Sequence, residues 1–441
     1  MSTVALITFG CKVNQYESQV IAEEFVRRGY QLSHSPEKAD IFVINTCTVT
    51  QTSDQQARQM IRRLARENPQ ARIIVTGCYA QANPSAIAAI PGVDLIVGNF
   101  EKLALVDYLS SYAPGSGPHL IVSKFADQIL SCPPISNFYS HSRAFVKVQD
   151  GCEQNCSYCI VPQVRGPQRS RPAKEILQEV EGLVAAGFPE IVLAGIRLGT
   201  YGREWKGGLP ELLQLLLLVK GLGRIRLSSL EPVDVTPELI NIVASSPKIC
   251  PHWHLPLQSG DEEILKAMRR PYSPSQYREL INTIRFPMPD AAITTDIMVG
   301  FPGETEERFQ NTLRFISEIE FSGMHVFRFS PRPQTKAIRL PGKVSSPVVK
   351  ERSKRLLDLS RQLARRYRRR FLGQMREVVV ETRRDRQTAL LTGYTDNYLR
   401  VFLPGEDSWC RRLIPVLLEE EMERGLTGEA VITAQVANRS N

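Results

Sequence analysis

Three cysteines, Cys152, Cys156 and Cys159, stand at the spacing C-x3-C-x2-C just after the short apolar run Ala144-Phe-Val-Lys-Val. A 4Fe–4S cube usually takes four cysteines. Three thiolates this close can bind three of its irons and leave the fourth without a protein ligand. An open iron implies that a substrate or cofactor binds there. Tyr158, immediately before the last cysteine, offers a flat face to an adenine ring. The competing chemistry is a structural zinc site, which needs a closed set of four ligands, often paired C-x2-C knuckles. No second knuckle lies nearby.

Three more cysteines share a different pattern. The apolar runs Ala5–Phe9, Ile41–Ile44 and Arg72–Thr76 lead into Gly10-Cys11, Asn45-Thr46-Cys47 and Gly77-Cys78. Helix-favouring stretches, Ser18–Arg28, Ser53–Glu67 and Pro84–Ala89, lie between and after them. Such repeats imply a parallel sheet with right-handed crossovers, whose ligands gather outside the carboxyl ends of the strands. Cys11, Cys47 and Cys78 all fall there, so they can converge on one metal centre. Three unrelated buried cysteines have no reason to share one topological position. A second 4Fe–4S cluster is the sharper reading.

The elements that must hold these residues divide the 441-residue chain in an α/β pattern with a small β domain at the end. Residues 1–113 read as an open parallel α/β sheet domain. Residues 114–142, with Pro114-Gly-Ser-Gly-Pro118 and Cys132-Pro-Pro134, read as a linker, and Cys132 as an incidental thiol. Residues 143–373 carry six strand runs alternating with helices: Ala144–Gln149, Glu190–Ala194, Arg224–Ser228, His252–Pro256, Ala292–Val299 and Met324–Phe329. Six such units make a partial TIM-like (βα)6 barrel that works at its carboxyl-end face. Gly195, Gly199, Glu231, Gln258 and Gly300 fall at that face. Glycines there allow close approach, and Glu231 can hold a ribose or an amine. His252 and His254 share one strand face and read as lining residues, not metal ligands.

The formal charge is +9 and concentrates in the basic run Lys350–Arg376, most of it on a long basic helix read over Ser346–Gly373 that contains Arg365, Arg366, Arg368 and Arg369. Such a run suits an anionic partner, RNA or DNA, or else a solvated helix face. Residues 374–441 hold five short strand runs, the last at Glu429–Thr433, which suits a small OB-like barrel. Arg383, Arg384, Tyr394, Tyr398 and Arg400 can meet phosphates and stack on bases. No run of about eighteen uncharged apolar residues appears, and the amino terminus has no basic region or cleavage site. Sparse, clustered cysteines, nine in all, point to metal binding in the cytoplasm, with no membrane partner.

Several stretches resemble the methylthiotransferase family of radical S-adenosylmethionine (SAM) proteins. Thr8-Phe-Gly-Cys11-Lys-Val-Asn-Gln-Tyr-Glu-Ser18, Asn45-Thr-Cys47-Thr-Val-Thr50 and Thr76-Gly-Cys78-Tyr-Ala-Gln81 resemble its amino-terminal domain. Gly151–Cys159, with Arg165-Gly166 and Arg169-Ser-Arg171, is similar to its radical SAM loop. His254-Leu-Pro-Leu-Gln-Ser-Gly260 and Thr295–Glu304 resemble its later barrel motifs, and Gly393–Arg400 its terminal TRAM domain. Pro271 stands where the family often carries a basic or polar residue. The resemblance implies that Cys152, Cys156 and Cys159 hold a cluster whose open iron chelates SAM, with Tyr158, Gly195 and Glu231 as cofactor contacts. An electron from a flavodoxin- or ferredoxin-type donor would cleave SAM to a 5′-deoxyadenosyl radical that takes hydrogen from carbon 2 of an adenine. Cys11, Cys47 and Cys78 would hold an auxiliary cluster carrying the sulfur, methylated by a second SAM. Catalysis would then rest on cofactors and not on a side-chain acid or base. The stretch Gly10–Ser18 is most similar to the branch that modifies N6-threonylcarbamoyladenosine beside the tRNA anticodon. Sister branches act on isopentenyladenosine at the same position or on an aspartate of a ribosomal protein. A non-catalytic iron–sulfur RNA-binding protein is the remaining alternative. The sulfur donor is not legible.

Overall fold

The computed structural model describes every residue except 34, 36–37, 114–116, 125–129, 139–140, 206 and 432–441. The first unit contains β1 (Thr3–Thr8), α1 (Lys12–Arg27), β2 (Gln31–Leu32), β3 (Ile41–Thr46), α2 (Gln51–Glu67) and β4 (Arg72–Gly77). It continues with α3 (Cys78–Ala82), α4 (Pro84–Ala88), β5 (Leu95–Val97), α5 (Leu105–Ser111) and β6 (His119–Ile121). Its six strands are parallel, in the order β2-β1-β3-β4-β5-β6. The central strands β3 and β4 are almost wholly buried, as expected where helices cover both faces. Helix α1 starts six residues earlier than its pattern predicts. Its polar residues Asn14 and Glu17 are buried by pairing with another unit, so they do not mark a solvent-facing turn.

The expected linker is more structured than its Pro/Gly content suggests. His119–Ile121 forms the edge strand β6, paired with β5. Leu130, Cys132, Ile135 and Phe138 are buried in the core of the next unit. Glu23 of α1 accepts backbone N–H bonds from Ser136 and Asn137 at 2.9–3.0 Å. Proline and glycine mark loops well, but they do not reveal which loops carry apolar anchors.

The central unit contains β7 (Ala144–Lys147), β8 (Gln149–Asp150), α6 (Val161–Arg165), β9 (Arg169–Ser170), α7 (Ala173–Ala185), β10 (Glu190–Ala194), α8 (Leu209–Leu217) and β11 (Arg224–Leu227). Then follow α9 (Pro237–Ser245), β12 (His252–His254), α10 (Glu262–Ala267), α11 (Pro274–Arg285), β13 (Ala292–Val299), α12 (Glu306–Ile319) and β14 (Gly323–Arg328). Parallel trios β7-β10-β11 and β12-β13-β14 are joined by the bridges Ile225–Ile249 and Ser229–His254. All six expected strands are present, as an open partial barrel. Helix α1 packs on β7 and α7, with Tyr16 donating to Glu179 at 3.0 Å. Beyond β14, Arg332 pairs with Asp54 of α2 and Ser330 accepts from the Gln51 N–H at 2.8 Å. The amino-terminal unit thus grips the barrel at both of its edges.

Helix α13 (Ser346–Arg369) leads to a closed barrel of β15 (Met375–Val380), β16 (Leu391–Thr395), β17 (Arg400–Leu403), β18 (Leu413–Met422) and β19 (Gly425–Ala430). The last strand lies earlier than the expected Glu429–Thr433, of which 432–433 fall outside the described residues. Arg226 donates to the carbonyls of Thr395 and Asp396, and Arg224 to that of Tyr394, at 2.8–2.9 Å. Both also pair with Glu190 at 2.6–2.7 Å. The terminal barrel therefore covers the amino ends of β11 and β12, opposite the cysteine loop. Among the described residues no helix is long and apolar enough to cross a membrane.

Glu190 is fully buried. Burial alone would raise its carboxyl, but Arg226 and Arg224 outweigh it and hold Glu190 well below the usual carboxylate range. Its stabilisation is therefore present above the unfolded value of about 4.3 and is lost as pH falls towards the folded value. Glu190→Ala leaves buried arginines unpaired and should cost about 3–5 kcal/mol, read as a lower urea midpoint at pH 7. An unchanged midpoint would show that the arginines find other partners.

Candidate active site

The amino-terminal triad is built by three neighbouring strands. Cys11 is the N-cap of α1, Cys47 follows β3, and Cys78 opens α3 directly after β4. Cys47 and Cys78 are buried, and Cys11 is exposed at the rim. Burial, then the neighbouring Cys78 and Cys11 thiols, push Cys47 up to about 11. Gly10, at φ +107°, lies so close that a Cβ there would meet the Cys47 Cβ at 3.0 Å. The glycine lets the loops converge.

The second triad lies on the loop after β8. Gly151, at φ +75°, leaves no space for a Cβ, which would meet the Pro167 carbonyl oxygen at 1.8 Å. The Cys152 N–H donates to the Gly166 carbonyl at 3.0 Å, and Ser157 binds the carbonyls of Met268 and Ala267. The thiols of Cys152 and Cys159 accept the N–H groups of Gln154 and Val161, each at 3.4 Å. Burial, then Cys156 and Cys152, push Cys159 up to about 12. Iron binding must displace these protons. Among the described residues no three His, Cys, Asp or Glu gather in a way that holds a metal ion.

One guanidinium joins the two loops. Arg165 closes α6 behind the second triad, yet its Nε donates to Cys78 Sγ of the first triad at 3.3 Å. It also donates to Glu17 at 2.6 Å, to Asp150 at 3.2 Å and to Asn14. Lys147 pairs with Glu17 at 2.8 Å and with Asp150 at 2.6 Å, and Lys102 pairs with Glu17. All five charged groups are buried. Burial, then Lys147 and Arg165 in the opposite and winning sense, leaves Asp150 at about 2, while burial and then Arg165 lower Lys102 to about 8. Three bases against two acids leave a net charge of +1 near neutral pH, beside thiols that become thiolates on binding iron.

At the barrel mouth Glu231 is not free, as it pairs with Arg270, whose Nη1 donates to Cys156 Sγ at 3.3 Å. Arg270 was not anticipated: it follows a short helix and carries no motif of its own. Arg197 donates to Asp234 at 2.7–2.8 Å across the same face. Gly195 is closely packed by Gln149 and Leu198. Tyr158 packs against Ile264, Met268 and Phe301. The side-chain atoms Ser228 Oγ, Gln258 Oε1 and Gln154 Nε2 are buried there without a hydrogen-bond partner. Buried polar atoms normally have partners, so these fit a polar ligand at the mouth. His252 and His254 line the barrel as expected, both bound to Thr294 Oγ1 at 3.0 Å.

The expected RNA contacts form two groups. Arg365, Arg368 and Arg369 share Glu421 of β18, and Arg366 pairs with Glu320. The basic run is therefore partly a clamp between helix and barrel, although Arg365, Arg366 and Arg369 remain exposed. The second group surrounds a depression of about 580 Å3 lined by Arg143, Arg383, Arg384, Arg400, Arg424 and Tyr394. Arg384 is tied to Asp407 and Arg400 to Asp385.

A model of the radical SAM superfamily matches residues 146–316, and one described as uncharacterized protein family UPF0004 matches residues 3–98. A solved radical SAM methyltransferase, TsrM from Kitasatospora setae, shares the fold at TM-score 0.58 and 16% identity, over 77% of each chain. Fold and cysteine loop define a radical SAM enzyme. The threonylcarbamoyladenosine tRNA methylthiotransferase MtaB of Bacillus subtilis is 41% identical over 94% of this chain and 93% of its own length. Its namesake in Thermotoga maritima is 37% identical over 91% of each. A tRNA-2-methylthio-N(6)-dimethylallyladenosine synthase of Methylacidiphilum infernorum is 34% identical over 98% of this chain and 96% of its own. The chain belongs to the radical SAM methylthiotransferase family, whose members work with SAM and 4Fe–4S clusters.

Proposed function

We propose that the protein methylthiolates carbon 2 of N6-threonylcarbamoyladenosine next to the tRNA anticodon. The observation that carries this reading is the pair of cysteine triads joined by one buried arginine, in a chain whose threonylcarbamoyladenosine-modifying relatives match it nearly end to end. Cys152, Cys156 and Cys159 hold one 4Fe–4S cluster and Cys11, Cys47 and Cys78 the other. When bound, the clusters and SAM supply the 5′-deoxyadenosyl radical and the methylthio group.

The chain's own residues do the rest. Arg270, braced by Glu231 and Tyr272, donates to Cys156 and fixes the ligand that faces the barrel. Ser228 and Gln258 offer the polar atoms that SAM needs at the mouth. The Arg165 network holds the two loops in register and keeps water from the seam. Arg365, Arg366 and Arg369, with Arg383, Arg384 and Arg400, meet the phosphates of the anticodon arm. Affinity for tRNA should then fall steeply between 50 and 200 mM salt, by about a thousandfold or more if six or more phosphates are met. A flat response would return the arginines to a structural role. The reading places the protein in the cytoplasm with its tRNA and with a flavodoxin- or ferredoxin-type donor.

The reconstituted, reduced protein should convert threonylcarbamoyladenosine in a tRNA transcript to its 2-methylthio derivative. Conversion of dimethylallyladenosine alone would assign the protein to the sister branch.

A further inference from the structure

Lys12 follows Cys11 and opens α1. It is half-buried, and it makes no ion pair or hydrogen bond with any described residue. The buried bases around it are all paired: Lys102 and Lys147 with Glu17, Arg165 with Glu17 and Asp150, Arg270 with Glu231. The first turn of α1 holds no acid, and Cys11 provides no side-chain cap. A half-buried ammonium with no partner among the described residues is left to water or to a ligand's anion.

Within reach of its charge lies part of the inner wall of the barrel. His252 and His254 lie on β12, His325 on β14, and Thr294 and Asp296 on β13 between them. Both β12 rings bind Thr294 Oγ1, His254 Nε2 stands 3.4 Å from Asp296, and the His325 ring is centred 5.9 Å from that of His254. Burial, then Arg226, His254 and Lys12, lowers His252; burial lowers His325 against Asp296, with His254 and Lys12 adding to the lowering. Beside a proposed cluster ligand stands an ammonium with no partner among the described residues, near a polar wall whose carboxylate, Asp296, is met by His254. That setting suits an anionic substituent and penalises an apolar one.

We propose that Lys12 is a specificity residue whose ammonium receives the carboxylate of the threonylcarbamoyl group. The assignment rests on the function proposed above. On adenine, carbon 2 and carbon 6, whose exocyclic N6 carries the substituent, flank the same ring nitrogen, N1. A residue adjacent to Cys11 is thus placed to read the substituent while the neighbouring centre acts at carbon 2. Dimethylallyl has no charge to offer, and a site built for a polar partner rejects analogues that lack it.

The test uses anticodon-arm RNAs carrying threonylcarbamoyladenosine, its threonyl methyl ester, or dimethylallyladenosine, with reconstituted wild type, Lys12→Met and Lys12→Arg. The acid-over-ester ratio of kcat/KM should fall about ten- to a hundredfold in Lys12→Met, mainly through KM, and recover in Lys12→Arg. Fluorescence anisotropy of the same arms repeats the comparison without turnover, so impaired cluster loading in a variant leaves the test intact. An unchanged ratio in Lys12→Met, or equal loss on acid and ester, overturns the assignment while wild-type activity on the acid preserves the proposed function. A wild type that modifies only the dimethylallyl arm overturns both.

Discussion

Replacing Cys11, Cys47 and Cys78 together by alanine should halve the iron of the reconstituted protein, from about eight per chain to about four. It should abolish methylthio transfer and leave reductive cleavage of SAM in place. The separation follows from the architecture. The first triad caps the carboxyl ends of β1, β3 and β4, in a sheet with its own core. The second lies on a loop fixed by Gly166, Met268 and Ala267, all of the central unit. Nothing in the second loop's backbone bonding passes through the amino-terminal cysteines. Iron analysis, with chromatographic assay of 5′-deoxyadenosine, checks both halves. Loss of SAM cleavage along with the iron would show that the two sites are one functional unit.

Arg165→Met is the second large effect. It strips the fork from Glu17, Asp150 and Asn14, leaving Glu17 and Asp150 to Lys102 and Lys147 alone. Removing one partner from a buried ionic cluster costs about 3–5 kcal/mol. The N–H donor to Cys78 disappears as well, so the first cluster should load poorly while the second loads normally. Arg165→Lys keeps the charge but not the planar fork and should fall between. Denaturation of the unloaded protein measures the first effect and iron content the second. Wild-type stability together with full iron content in Arg165→Met would remove the bridge from the account.

Six cysteines were legible in the sequence because their chemistry is local. A thiol three or four residues from another, or just past a strand, is placed by secondary structure alone. Barrel strands were legible for the same reason, through short apolar runs at regular spacing. The partners that complete the site are not local. Arg165 reaches Cys78 across 87 residues and Glu17 across 148, and Arg270 reaches Cys156 across 114. No periodicity records such pairs. Glu231 illustrates the converse: its position at the barrel mouth was readable, but Arg270 occupies it. The basic run of α13 was legible as charge. Glu421, more than fifty residues on, makes part of that charge structural. Linker residues Leu130, Ile135 and Phe138 were hidden by the prolines and glycines around them.

The most direct measurement is nucleoside mass spectrometry of tRNA from a strain lacking this gene and from the same strain complemented with it. The account predicts that 2-methylthio-N6-threonylcarbamoyladenosine disappears on deletion, that its unmodified precursor accumulates, and that the wild-type gene restores the product while the Cys11, Cys47 and Cys78 triple variant does not. Unchanged 2-methylthio-N6-threonylcarbamoyladenosine in the deletion strain would contradict it.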